Sequence, residues 1–109
     1  MTIFYGSGCK YVGQVIDRTN VKEGQGTLHY PQGKNIIKYK GQFLNGKKHG
    51  FGKTEYNDGI WHKGNYQNNK QNGQGKKRDR TGLYEGNFLN GRFHGYGEKT
   101  YDDGHVYEG

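Results

Sequence analysis

The chain has 109 residues, of which 28% are hydrophobic and 21 are glycine, with one proline, no alanine and a formal net charge of +7. That is one domain at most; the glycine content excludes a helical bundle, because each interior glycine costs a helix about 1 kcal/mol, and four leucines, five isoleucines and four valines are too few for a compact two-layer core. Low hydrophobicity with net charge is the signature of disorder, yet ten tyrosines, five phenylalanines and one tryptophan exceed what disordered chains carry, so order must come from something other than aliphatic burial.

No run of apolar residues is long enough to span a bilayer, and Met1-Thr2-Ile3-Phe4-Tyr5-Gly6 lacks the basic and then apolar pattern of a secretory leader, so a cytoplasmic location is expected. Cys9 stands alone, with no second cysteine for a disulfide or a zinc site.

In chain order, Tyr5, Gly8 and Tyr11 open a spacing that recurs throughout. Tyr11, Gly13, Val15, Asp17, Gly24 and Gly26 form a degenerate first block, with two residues inserted before Gly24. The second block, Tyr39 to Gly52, reads Tyr-Lys-Gly-Gln-Phe-Leu-Asn-Gly-Lys-Lys-His-Gly-Phe-Gly and places Tyr39, Gly41, Phe43, Gly46, His49, Gly50 and Gly52 in its slots. Tyr56 and Gly59 follow, then a third block from His62 to Gly75 that keeps its glycines and an aromatic residue but has His62 where tyrosine stands elsewhere. The fourth block carries Tyr84, Gly86, Phe88, Gly91, His94, Gly95 and Gly97, shares nine of fourteen positions with the second, and is followed by Tyr101, Gly104 and Tyr107. Units therefore open at Tyr11, Tyr39, His62, Tyr84 and Tyr107 of one array covering residues 1–109.

Within a block, alternation puts Tyr39, Gly41 and Phe43 on one face of a strand and Lys40, Gln42 and Leu44 on the other. Gly50, Gly52, Thr54 and Tyr56 likewise oppose Phe51, Lys53 and Glu55. The stretch Asn45 to Gly50 between them is rich in residues that tolerate positive φ, so the chain reverses there and the unit is a β-hairpin; Asn57-Asp58-Gly59 joins it to the next. Rings at Tyr39 and Phe43 then lie flat over bare backbone at Gly41, Gly50 and Gly52. The expected product is a single elongated, twisted antiparallel sheet of about nine or ten strands, each hairpin stabilised by its neighbours.

The pattern Tyr-x-Gly-x-aromatic-x-Asn-Gly-Lys-x-His-Gly-x-Gly resembles the MORN repeat, with strong copies at 39–61 and 84–106 and degenerate ones at 11–38 and 62–83. That resemblance implies an all-β, non-catalytic scaffold that binds other proteins. Similar proteins recur in axonemal radial spokes, cytoskeletal rings and membrane junctions, so a ciliary or other cytoskeletal assembly is the expected setting. Two alternatives stand beside it: a peripheral membrane module for anionic phospholipids, and the repeat region of a larger enzyme, because such repeats accompany lipid kinases and a protein methyltransferase.

Other motifs give way to the repeat. Gly41 to Lys48 approaches a phosphate-binding loop, but its last position is not Ser or Thr and a strand follows instead of a helix. His49 and His94 share a slot from which an imidazole can hydrogen-bond across the turn, and no nucleophile, base and acid set accompanies them, so no enzyme activity, metal or cofactor is expected. Lys70, Lys76, Lys77, Arg78 and Arg80 cluster within eleven residues, and Lys47, Lys48 and Arg92 occupy equivalent turns of flanking units. Stacked in register, Lys47, Lys70 and Arg92 line one edge, suited to anionic lipid or acidic protein. Nucleic acid is disfavoured because the rings already cover glycine. The last residues, Tyr107 to Gly109, begin another unit; an open sheet end of this kind invites pairing with a second copy or belongs to a longer array.

Overall fold

The computed structural model describes residues 1–16 and 21–109; Asp17 of the first block lies outside the described residues. Ten strands form one antiparallel meander in strict sequence order: β1 (Thr2–Phe4), β2 (Lys10–Ile16), β3 (Val21–His29), β4 (Ile36–Leu44), β5 (Lys47–Tyr56), β6 (Trp61–Gln67), β7 (Lys70–Arg78), β8 (Gly82–Leu89), β9 (Arg92–Tyr101) and β10 (Val106–Glu108). The four blocks are the hairpins β2/β3, β4/β5, β6/β7 and β8/β9. The strands lie across a slab of 50 × 27 × 16 Å.

Alternation along β4 has the expected phase: Tyr39, Gly41 and Phe43 are buried and Lys40, Gln42 and Leu44 exposed. The reversal is tighter than Asn45 to Gly50, because Asn45 (φ 51°) and Gly46 (φ 82°) alone make the turn and Lys47 already belongs to β5. Two successive left-handed residues match the twist of the flanking strands, as in a type I′ hairpin. Asn68 with Asn69 and Asn90 with Gly91 repeat it.

Gly50 serves a different purpose. The register runs from Gly41↔Gly52 to Phe43↔Lys48, so Gln42 alone faces His49, Gly50 and Phe51 in a wide bulge. Gly50 takes φ +83° there, and the Gln42 side chain fills the gap, its Oε1 accepting the Phe51 N–H at 2.8 Å. Gln14 does the same for the Gln25 N–H at 2.7 Å. In the third and fourth hairpins the shorter Asn65 and Asn87 instead donate through Nδ2 to the carbonyls of Gln74 and Tyr96, at 3.4 and 3.3 Å.

In the first, second and fourth hairpins the lead tyrosine closes the bulge from the buried face. Tyr39 donates its hydroxyl to the Gln42 carbonyl at 2.8 Å, and Tyr11 and Tyr84 donate to Gln14 and Asn87 at 2.6 and 3.0 Å. Their rings lie over glycine as expected: a β-carbon on Gly52 would fall within 2.5 Å of the Tyr39 ring, and Gly26 and Gly97 are covered alike by Tyr11 and Tyr84.

These rings join into one continuous spine. Tyr11 meets Phe43 edge-on at 5.2 Å between centroids, Phe43 meets Tyr39 at 5.1 Å, Tyr39 meets Tyr66 at 5.0 Å, and the zigzag continues through His62 and Phe88 to Tyr84. Perpendicular ring pairs contribute about 0.5–1.5 kcal/mol each beyond area burial. This row of rings takes the place of the aliphatic core that the composition denies.

Candidate functional site

Strand alternation and strand length distribute the eight basic residues over both faces and both long edges of the slab. Lys47, Lys70 and Arg92 open β5, β7 and β9 directly after their turns and are exposed. Lys48, one residue on, turns the opposite way and is buried against the spine, its ammonium 5.1 Å from the Tyr39 ring and 5.4 Å from Tyr30. Burial pushes its pKa down to about 8. Lys76 points to the opposite face beside Glu85, 3.8 Å away. Arg78 ends β7, ~27 Å of strand from Lys70, and Arg80 lies just past it; Arg78 pairs with Asp102 at 2.7 Å and Arg80 with Asp58 at 2.8 Å. Lys47, Lys70 and Arg92 thus form a row at one edge, Lys48 and Lys77 lie on the ring face, Lys76 lies on the opposite face, and the two arginines tie the other edge's turns together.

The histidine slot also behaves differently from expectation. His49 and His94 are the first residues of their bulges, and among the described residues neither imidazole makes a hydrogen bond across the turn, a task performed by the amides Gln42 and Asn87. The signal for those amides was present, since Gln14, Gln42, Asn65 and Asn87 all stand fourth in their blocks. His62 is the imidazole with structural consequence. It is fully buried in the lead-tyrosine slot, with Nδ1 2.9 Å from the Tyr66 hydroxyl and Nε2 without a hydrogen-bond partner among the described residues. Desolvation, with Lys77 nearby, holds its pKa down at about 4. Tyr66 is in turn joined to Thr54 Oγ1.

Asp79 replaces the tyrosine of the linking turn in the third unit. Its Oδ1 accepts N–H bonds from Thr81 at 2.8 Å and Gly82 at 3.0 Å, and its Oδ2 meets Lys99 Nζ at 2.7 Å. Burial pushes the carboxyl up, but Lys99 and the Thr81 and Gly82 donors outweigh it and hold the pKa well below the carboxylate range. Asp79→Asn is expected to cost about 1–3 kcal/mol in urea unfolding at pH 7, the range for a hydrogen bond to a charged group, and substantially less when Lys99 is already Met. Additive losses in that double-mutant cycle would contradict the pairing.

The face opposite the spine exposes a row of apolar side chains: Leu44, Phe51, Leu89 and Tyr96 are 42%, 53%, 42% and 64% accessible. Phe51 and Tyr96 share one slot in the second and fourth hairpins, which Gln25 and Gln74 occupy in the first and third. Among the described residues no three His, Cys, Asp or Glu side chains are grouped to hold a metal ion.

A search of the curated proteins found no match. The MORN repeat family model matches four segments, 20–34, 39–60, 62–83 and 84–106. The last three begin at Tyr39, His62 and Tyr84, the residues that lead β4/β5, β6/β7 and β8/β9, while the first covers only the second half of its hairpin. With hairpin, bulge and ring lid repeating in that register, the chain belongs to the MORN repeat family.

Proposed function

We propose that this chain is a non-catalytic, intracellular interaction scaffold in a cytoskeletal or ciliary assembly, and that it grips partner proteins with the face opposite the ring spine. MORN repeats as a family serve as protein- or membrane-binding modules. The observation carrying the protein reading is the exposed row of Leu44, Phe51, Leu89 and Tyr96, since apolar and aromatic side chains left in water on a rigid surface are the usual anchors of a protein contact.

The test is capture from a ciliated or cytoskeletal extract by wild type and by a Phe51→Gln, Tyr96→Gln double variant, which keeps the fold because glutamine fills that slot in two other units. Cytoskeletal proteins recovered by wild type and reduced at least fivefold by the variant are expected; equal recovery would count against this face.

A second reading, contact with an anionic membrane, rests on the exposed edge residues Lys47, Lys70 and Arg92, none of which forms an ion pair among the described residues. Each basic group near such a surface contributes about 1 kcal/mol. Lys47→Glu with Arg92→Glu should then abolish sedimentation with anionic vesicles; wild-type binding equal to that on neutral vesicles removes the reading.

A further inference from the structure

On the ring face, between the second and third hairpins, lies a cavity of about 260 Å³ lined in part by Lys48, Lys70, Lys77, Tyr56 and Gln71. None of the described residues lining it is acidic, and among the described residues none of the three lysines has an ion-pair partner. Lys48 is 9% exposed, so its ammonium is a nearly buried charge, offset among the described residues by two rings. Such a charge is costly unless something of opposite sign reaches it.

Gln71 supplies a second observation. It is 7% exposed, donates Nε2 to the Tyr56 hydroxyl at 3.1 Å, and leaves Oε1 with no partner among the described residues. Turned over, the amide would accept from Tyr56 and free an N–H for an anion in the cavity.

The next unit shows what fills the corresponding place. Lys99 occupies the slot of Lys77: Lys77 lies opposite His62 and Tyr84, and Lys99 opposite Tyr84 and Tyr107. Asp79 occupies the linking-turn slot of Tyr56; Asp79 and Tyr56 each donate their N–H to the carbonyl that closes the turn, on Gly82 and Ile60 respectively. In that unit an internal carboxylate neutralises the lysine at 2.7 Å. Between the second and third hairpins the phenol of Tyr56 stands there instead, and Lys77 is joined by Lys48.

We propose that this cavity is a seat for the phosphoryl group of a phosphate monoester, supplied from outside the chain. Charge decides the class: one carboxylate would balance one lysine, whereas a monoester, close to dianionic at neutral pH, balances Lys48 and Lys77 together. Lys70 adds a third charge among the lining residues. The site is separate from the exposed apolar row, so its fate does not depend on that reading.

Calorimetric titration at constant ionic strength with inorganic phosphate, O-phosphoserine and acetate tests it. Saturable binding of the two phosphates is expected, at least tenfold tighter than acetate and at least tenfold weaker in Lys48→Met and Lys77→Met. Lys40→Gln, on the opposite face, should stay within twofold of wild type. Removing a nearly buried, unpaired charge should leave the Tm of Lys48→Met equal to or above that of wild type, so loss of binding there is not loss of fold. Vesicles separate the source: binding to phosphatidic acid but not phosphatidylglycerol, lost in Lys48→Met, places the same monoester on a lipid head group. No saturable binding of any phosphate probe, acetate binding equal to phosphate, equal binding to both vesicles, or wild-type affinity in Lys48→Met and Lys77→Met would overturn the assignment.

Discussion

Gly52→Val should be among the most damaging single substitutions in this chain, lowering stability by about 3 kcal/mol or more in urea unfolding. The new β-carbon would fall within 2.5 Å of the Tyr39 ring, so the ring must leave. Tyr39 is fully buried, packs against Phe43 and Tyr66, and donates to the Gln42 carbonyl that closes the bulge. Displacing it therefore resembles deletion of a core aromatic residue, about 3–5 kcal/mol, with a stranded carbonyl in addition. Gly6→Ala is the matched control: nothing lies within 4 Å of its β-carbon, and a change within about 0.5 kcal/mol is expected. Equal effects at the two positions would refute the account of rings resting on bare backbone.

The second large effect is an acid sensitivity carried mainly by one residue, His62, whose pKa is lowered further than that of His29. His62 titrates at about 4 in the folded chain and at about 6.5 when unfolded. Between those values the unfolded state binds the proton and the folded state does not, so stability is fully present above pH 6.5 and falls until pH reaches about 4. The gap corresponds to a loss of about 3 kcal/mol, at about 1.4 kcal/mol per pKa unit. Asp79, depressed in the folded state, costs stability only at lower pH, below the ordinary carboxylate range, so the two contributions separate along the pH axis. His62→Tyr removes the titrating group and restores the residue found in this slot in the other hairpins. Its unfolding midpoint in urea should decline much less from pH 6.5 to 4.5 than that of wild type, the remainder coming from His29, whose pKa is also lowered by burial and by Lys10 and Lys38. A parallel decline in the variant would assign the sensitivity elsewhere.

Local chemistry made much of this fold legible in the sequence. Asn45-Gly46 and Asn90-Gly91 specify their turns through two adjacent residues, the phase of Tyr39, Gly41 and Phe43 needs only strand alternation, and the ring over Gly52 follows from hairpin pairing of two short segments. Features that depend on register between more distant strands were not legible. Lys48 and Lys47 look alike as neighbours, and the Tyr39 ring together with the Tyr30 ring, the latter contributed by the preceding linking turn, makes one of them a buried cation. The amide at Gln42 recurs in the fourth slot of every block, but its task was hidden because a bulge of three against one does not show in a period of two. Arg78 and Arg80 read as part of a basic cluster because Asp102 and Asp58, their partners, lie 24 and 22 residues away in the chain.

The meander also sets a length scale. Strands lie about 4.8 Å apart, so each hairpin adds ~10 Å to the long axis, and ten strands account for the 50 Å extent. Each turn on one edge bonds back to the unit before it, from Gly46, Asn69 and Gly91 to the carbonyls of Lys22, Lys48 and Gln71, which joins the increments into one stiff body. Such a molecule works as a molecular ruler: inserting or deleting one unit of 22 or 23 residues would change the distance between whatever is bound at its two ends by a fixed step while leaving the chemistry of both faces as it was.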